Sequence, residues 1–256
     1  MKTTDAWPYP RWVAHRGAGK LAPENTLAAF RLGASHGYRM FECDVKLSAD
    51  GTLFLLHDAT LARTTDAATC LSTGASDVAG EHDWATLAQL DAGSWHSPAY
   101  AGERLPTLDD VAAWCLANDG LLNIEIKPTP GTERPTGEAV ARRAAQLWAG
   151  SAVPPLLTSF QVEALAGART AAPQLPRGLL LDKLTPDWLE TARMLRCMAV
   201  VCKHTLWDAS TVAQAQGAGL RCLSYTVNDT AEAQRLWALG TDGIITDRVD
   251  LFDPAG

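Results

Sequence analysis

Glu42 and Asp44 stand two apart in Met40–Leu47, an apolar run that reads as a strand. Residues two apart on a strand face the same side, so both carboxylates share one surface while Cys43 and Val45 take the other, against packing helices. Two carboxylates turned into a packed interior repel each other and lose hydration unless a cation lies between them. Asn123-Ile124-Glu125-Ile126-Lys127 repeats the arrangement on a later strand, with Glu125 and Lys127 on one face. Taken singly, the first pair also fits a solvated strand end, and the second a buried ion pair. Taken together, Glu42, Asp44 and Glu125 make a three-carboxylate site. Its all-oxygen ligands suit one hard divalent cation, Mg2+ first, with Ca2+ or Mn2+ as alternatives.

Two histidines close strands beside these carboxylates. His15-Arg16-Gly17 ends the first apolar run, and His57-Asp58 ends the segment that follows the Glu42 strand. A lone histidine in such a place is more often structural. Two that converge on a metal site can work as a pair, since imidazole titrates near neutrality and one ring takes a proton while the other gives one. Gly17 allows a sharp turn or the close approach of a ligand. Pro23-Glu24-Asn25-Thr26 opens the first helix, where a capping role is the plain expectation and the adjoining amides offer a place for an anion. Of the nine tryptophans, Trp95 is the one singled out as a substrate contact; the others read as packing.

These groups need a frame that brings distant strand ends together. Short apolar runs alternate with helical patterns, which predicts βαβ units and a parallel sheet. Strands are expected at Trp12–His15, Met40–Leu47, Leu121–Lys127, Pro155–Ser159, Arg177–Leu181, Met198–Cys202, Leu220–Tyr225 and Gly243–Thr246. Eight strands favour a closed α/β barrel, a (β/α)8 TIM barrel, over an open doubly wound sheet, and such barrels carry their chemistry at the carboxyl ends of the strands. Asp50-Gly51 predicts a hairpin, so Thr52–His57 returns antiparallel. Helices are expected from about Asn25 or Thr26 to His36, from the capping pattern Thr107-Leu108-Asp109-Asp110 to about Asn118, and over Glu138–Ala149, Pro186–Leu195 and Ala231–Leu239. Between Asp58 and Pro106 the alternation lapses, and this stretch reads as an insertion of short elements, because a structureless loop of that length does not suit a compact domain.

At 256 residues the chain has the usual length of one such barrel, and its 47% apolar and 20% charged residues are ordinary for a globular protein. The formal charge of −7 and the lack of a basic stripe argue against a nucleic-acid partner. Six cysteines show neither a C-x-x-C pair nor disulfide-like clustering. Residues Met1 to Pro10 lack the basic-then-apolar pattern of a signal peptide, and no run is long enough to span a bilayer. A single-domain protein of a reducing cytoplasm is the expectation.

The ordered set His15-Arg16-Gly17, Pro23-Glu24-Asn25-Thr26, Glu42-x-Asp44, His57-Asp58, Glu125-Ile126-Lys127, Tyr225-Thr226-Val227-Asn228 and Gly243-Ile244-Ile245-Thr246-Asp247 resembles the glycerophosphodiester phosphodiesterase family, and its cytoplasmic bacterial members in particular. The matches run from the first strand to the last. The resemblance implies a (β/α)8 barrel with a small insertion after the second strand. It also implies hydrolysis of glycerophosphodiesters, the deacylated phospholipids, to sn-glycerol 3-phosphate and an alcohol. His15 and His57 would be the acid/base pair, Glu42, Asp44 and Glu125 would hold the divalent ion, and Arg16 and Lys127 would contact the phosphate. Proton removal from the glycerol 2-hydroxyl and passage through a cyclic phosphate would follow. Two departures from the family pattern, Tyr225 in place of a common Trp and Ala18-Gly19-Lys20 in place of further glycines, adjoin the expected substrate pocket.

Two other readings use the same frame. A phospholipase D-like barrel phosphodiesterase of the secreted toxin type should carry a signal peptide and a disulfide pattern. A binding protein that had lost catalysis would be free to lose one of the two histidines or three carboxylates, and all five are present.

Overall fold

The computed structural model describes residues 7–255. Part of the opening segment read for a targeting signal, residues 1–6, lies outside them, as does residue 256. Eight of the strands are nearly continuous apolar runs because both their faces are covered, the inner by the barrel filling and the outer by helices. In chain order the strands and principal helices are β1 (Trp12–Ala14), α1 (Leu27–Ser35), β2 (Met40–Leu47), β3 (Leu53–Leu55), α2 (Leu108–Ala117), β4 (Leu121–Ile126), α3 (Glu133–Leu147), β5 (Leu156–Ser159), α4 (Val162–Ala171), β6 (Arg177–Leu181), α5 (Trp188–Met194), β7 (Ala199–Lys203), α6 (Ala209–Gly217), β8 (Arg221–Tyr225), α7 (Thr230–Leu239) and β9 (Gly243–Thr246). The parallel strands run β1-β9-β8-β7-β6-β5-β4-β2, and β1 pairs with β2 to close the (β/α)8 barrel. β3 is the expected antiparallel return, with Val45 opposite Leu55 and Leu47 opposite Leu53.

Alternation along each strand divides the core. Inward residues Val13, Met40, Leu156, Leu180, Val201, Leu223 and Ile245 fill the barrel, and Tyr9 joins them from the segment ahead of β1, its hydroxyl donating to the Pro154 carbonyl at 2.8 Å. Outward residues such as Phe41, Cys43 and Val45 meet the helices, with Phe30, Phe41 and Trp114 in mutual ring contact. Thr107 and Asp110 form a complete reciprocal cap at the start of α2, so Asp at this position does the work expected of Glu or Gln.

α3 begins five residues earlier than the sequence suggests, at Glu133 rather than Glu138. Pro135 falls in the first turn, where its missing N–H costs nothing. Gly137 marks a close contact rather than a helix boundary: a Cβ there would stand 2.0 Å from the Ala164 carbonyl oxygen on α4.

Residues 58–106 do form an insertion of short elements. Two four-residue helices, Ala67–Cys70 and Trp84–Leu87, and two 3-10 turns surround a small core of Leu56, Leu61, Leu87, Leu90 and Leu105, which is joined to the barrel through Phe54 on β3. Asp91 organises the far part, accepting from the backbone N–H groups of Gly93, Ser94 and Gly102. Among the described residues no helix is long and apolar enough to cross a membrane.

Candidate active site

The strand periodicity carries Glu42 and Asp44 of β2 and Glu125 of β4 inward at the carboxyl end of the barrel, where Asp44 lies in register with Glu125. One oxygen from each of the three carboxylates falls within 4.8 Å of the others. Burial pushes the Glu42 carboxyl well above the usual carboxylate range, with Asp44 and Glu125 adding to the effect. Glu125 is pushed up to about 7 by burial and by Asp44. Burial acts on Asp44 in the same sense, yet Arg16 and Lys127 hold it below its ordinary value. Glu42 Oε1 and Asp44 Oδ1 are buried with no hydrogen-bond partner. Three clustered carboxylates, two of them with a buried oxygen that lacks a hydrogen-bond partner, are the donor set a hard cation requires, so these residues fit a divalent ion.

Two cations already lean on this cluster. Lys127 Nζ is 3.0 Å from Glu125 Oε1 and 3.5 Å from Asp44 Oδ1. Arg16 Nε is 3.2 Å from Asp44 Oδ2, and its backbone N–H donates to Glu42 at 3.1 Å. The second contact follows from an uncommon backbone: Arg16 has φ 50 and Gly17 φ 98, so the chain turns sharply off β1. At Gly17 a Cβ would stand 2.8 Å from the Phe30 nitrogen, which lets this turn rest directly on α1.

The histidines flank the carboxylates in matching fashion. His15 Nδ1 is 2.6 Å from Asp247 Oδ1, which aims Nε2 at the cluster, 3.8 Å from Glu42 Oε2. Asp247 follows β9 and is fixed in turn by Asn228, whose side-chain N–H donates to Oδ2 at 2.9 Å. His57 Nδ1 is 2.7 Å from Asp58 Oδ1, and burial draws the His57 imidazole below its ordinary value. A carboxylate on Nδ1 fixes the tautomer and leaves Nε2 of each ring for proton exchange.

His15, Arg16, Glu42, His57, Glu125 and Lys127 line a cavity of about 160 Å3, which is also lined by Phe160, just after β5, and by Tyr225 of β8. The two rings stand nearly perpendicular, edge to face, with centroids 5.7 Å apart, and the Tyr225 hydroxyl donates to the Leu181 carbonyl at 3.0 Å. Eight of the nine sequence-predicted site residues therefore gather at this mouth or within its network. Trp95 stands apart: it is 39% exposed on the insertion, does not line the cavity, and its indole N–H donates to the Ala92 carbonyl. At the start of α1, Thr26 is the cap, accepting from Ala29 N. The anion held by the adjoining amides is the chain's own Glu103 carboxylate, which accepts from Ala28 N at 3.0 Å. Asn25 serves the site instead, donating to Asp44 at 2.8 Å and accepting from its backbone N–H.

Sequence reasoning assigned no role to Asp247, Asn228, Phe160 or Arg63. Asp247 carried a usable signal, an acid directly after an inward strand end, whereas Arg63 sits in an aperiodic stretch with none.

A closed (β/α)8 barrel with two carboxylate-backed histidines around an acidic, cation-ready centre defines a hydrolase of the barrel phosphodiesterase class. The sequence model of the Glycerophosphoryl diester phosphodiesterase family matches residues 15–251. A glycerophosphodiester phosphodiesterase of Caldanaerobacter subterraneus is 31% identical over 243 residues, covering 92% of this chain and 93% of the relative. The structure of an Oleispira antarctica phosphodiesterase in complex with the product sn-glycerol-3-phosphate matches with a TM-score of 0.84 and 32% identity over 93% of each chain. The glycerophosphodiester phosphodiesterase of Agrobacterium tumefaciens matches with a TM-score of 0.77 and 26% identity, over 97% of this chain and 100% of that one. The chain belongs to the glycerophosphoryl diester phosphodiesterase family, and with it to the phosphoric diester hydrolases.

Proposed function

We propose that the protein hydrolyses glycerophosphodiesters to sn-glycerol 3-phosphate and an alcohol, with one divalent cation held by Glu42, Asp44 and Glu125. The observation that carries this reading is the convergence of three buried carboxylates, two of them with orphaned oxygens, between two histidines that each have a carboxylate on Nδ1. With all three acids ionised, Arg16 and Lys127 leave one negative charge uncompensated. A divalent ion reverses that sign and suits an anionic diester. The product found in the Oleispira antarctica relative supports the substrate class. The whole chain acts as one barrel domain. Four buried free thiols, at Cys43, Cys115, Cys202 and Cys222, support a reducing cytoplasmic setting.

When bound, the cation supplies positive charge at the phosphoryl oxygens, and Mg2+ is the ion the donor set favours. Arg16 and Lys127 orient the phosphate and offset charge that grows on it. One histidine accepts the proton of the glycerol 2-hydroxyl through Nε2. The freed oxygen attacks phosphorus, the second histidine protonates the leaving alcohol, and a cyclic phosphate results. Water opens the ring with the two histidines in exchanged roles. Tyr225 meets the head group from the cavity wall, and Trp95, on the insertion and outside the cavity, contacts only the parts of larger head groups that project beyond it.

Glycerophosphocholine and its 2-deoxy analogue, compared at saturation, test the nucleophile. An intramolecular hydroxyl held beside phosphorus contributes much of the rate, so the analogue should bind competitively and not turn over. Comparable kcat for the two would assign the attack to water and remove the cyclic phosphate from the scheme.

A further inference from the structure

Arg63 touches neither the cavity nor the three carboxylates, yet its guanidinium joins both halves of the site. Nε donates to Asp58 Oδ2 at 2.6 Å and Nη2 to Asp58 Oδ1 at 3.0 Å. On its other edge Nη1 donates to Glu24 Oε2 at 2.8 Å and Nη2 to Glu24 Oε1 at 2.7 Å. Each carboxylate then passes the constraint on. Asp58 Oδ1 also meets His57 Nδ1, and Glu24 Oε1 also accepts from Arg16 Nη1 at 2.8 Å. Arg16 continues to Asp44. A single planar cation thus connects the loop after β3 to the loop after β1.

The backbone that carries Arg63 is anchored in the insertion. Leu61 is fully buried in the core of the insertion, and Thr64 and Thr65 are buried beside it. The Thr65 hydroxyl donates to the Leu61 carbonyl at 2.6 Å and accepts from Ala67 N, which closes the backbone around Arg63. The side chain itself is 44% exposed, and an exposed ion pair contributes little stability. Its geometry is another matter: two bidentate contacts, each to a carboxylate that already orients a site residue, fix position rather than add binding strength.

We propose that Arg63 is a positioning residue for the hydrolysis: it holds Asp58 against His57 and Glu24 against Arg16, so that the insertion sets the geometry of both. This rests on the reading in which His57 and Arg16 act on the substrate. Without Arg63, Asp58 and Glu24 lose their shared counter-charge and are free to turn toward solvent, taking the imidazole and the guanidinium out of register. Lysine does not substitute, because an ammonium is a point donor and cannot form two forks at once.

The test measures steady-state kinetics on glycerophosphocholine for Arg63→Ala, Arg63→Gln, Arg63→Lys and His57→Ala, with melting temperatures alongside. Loss of an outer partner of this kind lowers turnover roughly 10- to 100-fold. That fall is expected in kcat for all three Arg63 variants, with melting temperatures near the parent's, and millimolar guanidinium should recover part of it in Arg63→Ala. Arg63→Gln keeps the aliphatic stem and serves if the alanine variant folds poorly. Parental kcat in Arg63→Ala or Arg63→Gln while His57→Ala is inactive would overturn the role of Arg63 alone. A loss that tracks melting temperature and resists guanidinium would overturn it too, since that is what a structural role gives. Full activity in His57→Ala would overturn the acid/base reading and this proposal with it.

Discussion

Replacing Asp247 with asparagine keeps the shape of the side chain and changes only what it can accept. The Asp247 carboxyl is held at about 2, against an ordinary 3.8; burial opposes this and is outweighed by His15 and Asn228. At about 1.4 kcal/mol per tenfold change in proton affinity, the carboxylate contributes roughly 2 kcal/mol to folding at neutral pH. Because the folded value is depressed, that contribution is present above about pH 4 and is lost as the pH falls toward about 2. The kinetic effect follows from the neighbours. Asn228 Oδ1 accepts from Asp247 N at 2.9 Å, which fixes its amide and points its N–H at Oδ2. The new amide must therefore keep its oxygen toward Asn228 and turn its NH2 to His15 Nδ1. His15 must then accept at Nδ1 and carry its proton on Nε2, the nitrogen that faces the cluster. A histidine fixed in the wrong tautomer loses between its general-base contribution, about 10²-fold, and the roughly 10⁴-fold seen when a catalytic triad undergoes the same change. The assay is kcat/KM for glycerophosphocholine across pH, with acid unfolding followed in parallel. Asp247→Asn activity within about threefold of the parent at every pH would refute this role for Asp247, given an effect this large.

Gly137→Ala should lower stability by roughly 1–3 kcal/mol, the usual cost of overpacking, because its Cβ would enter the Ala164 carbonyl; chemical denaturation reads this, and kcat should not change. Glu125→Gln should weaken Mg2+ binding by calorimetry roughly tenfold or more while the fold survives, as expected for loss of one charged ligand; unchanged affinity would remove Glu125 from the cation site. Trp95→Ala should alter the ranking of head groups more than it alters the melting temperature, since the exposed indole stabilises little. A large drop in melting temperature with unchanged ranking would make Trp95 a packing residue of the insertion.

The barrel was legible because its strands are short and apolar and stand in one order, and the inward carboxylates because period two leaves no choice of face once Cys43 and Val45 must pack. Helix boundaries were less so at α3, where Pro135 and Gly137 look like a stop but serve a first turn and a close α3–α4 contact. Inside residues 58–106 the elements are four residues or fewer, too short to show any period. The partners of the histidines divide by distance along the chain. Asp58 is the neighbour of His57, whereas Asp247 reaches His15 only because β9 closes the barrel beside β1. Arg63 depends on where a turn of the insertion comes to rest, which no local pattern encodes.

The central question is whether phosphodiester cleavage needs a cation at Glu42, Asp44 and Glu125. The measurement is release of sn-glycerol 3-phosphate from glycerophosphocholine by the purified protein as prepared, after exhaustive EDTA treatment with metal analysis, and after Mg2+ is added back. Activity is expected to disappear with the metal and to return with Mg2+ in the parent protein, but not in Asp44→Ala. Undiminished release from protein shown to be free of metal would contradict the cation requirement.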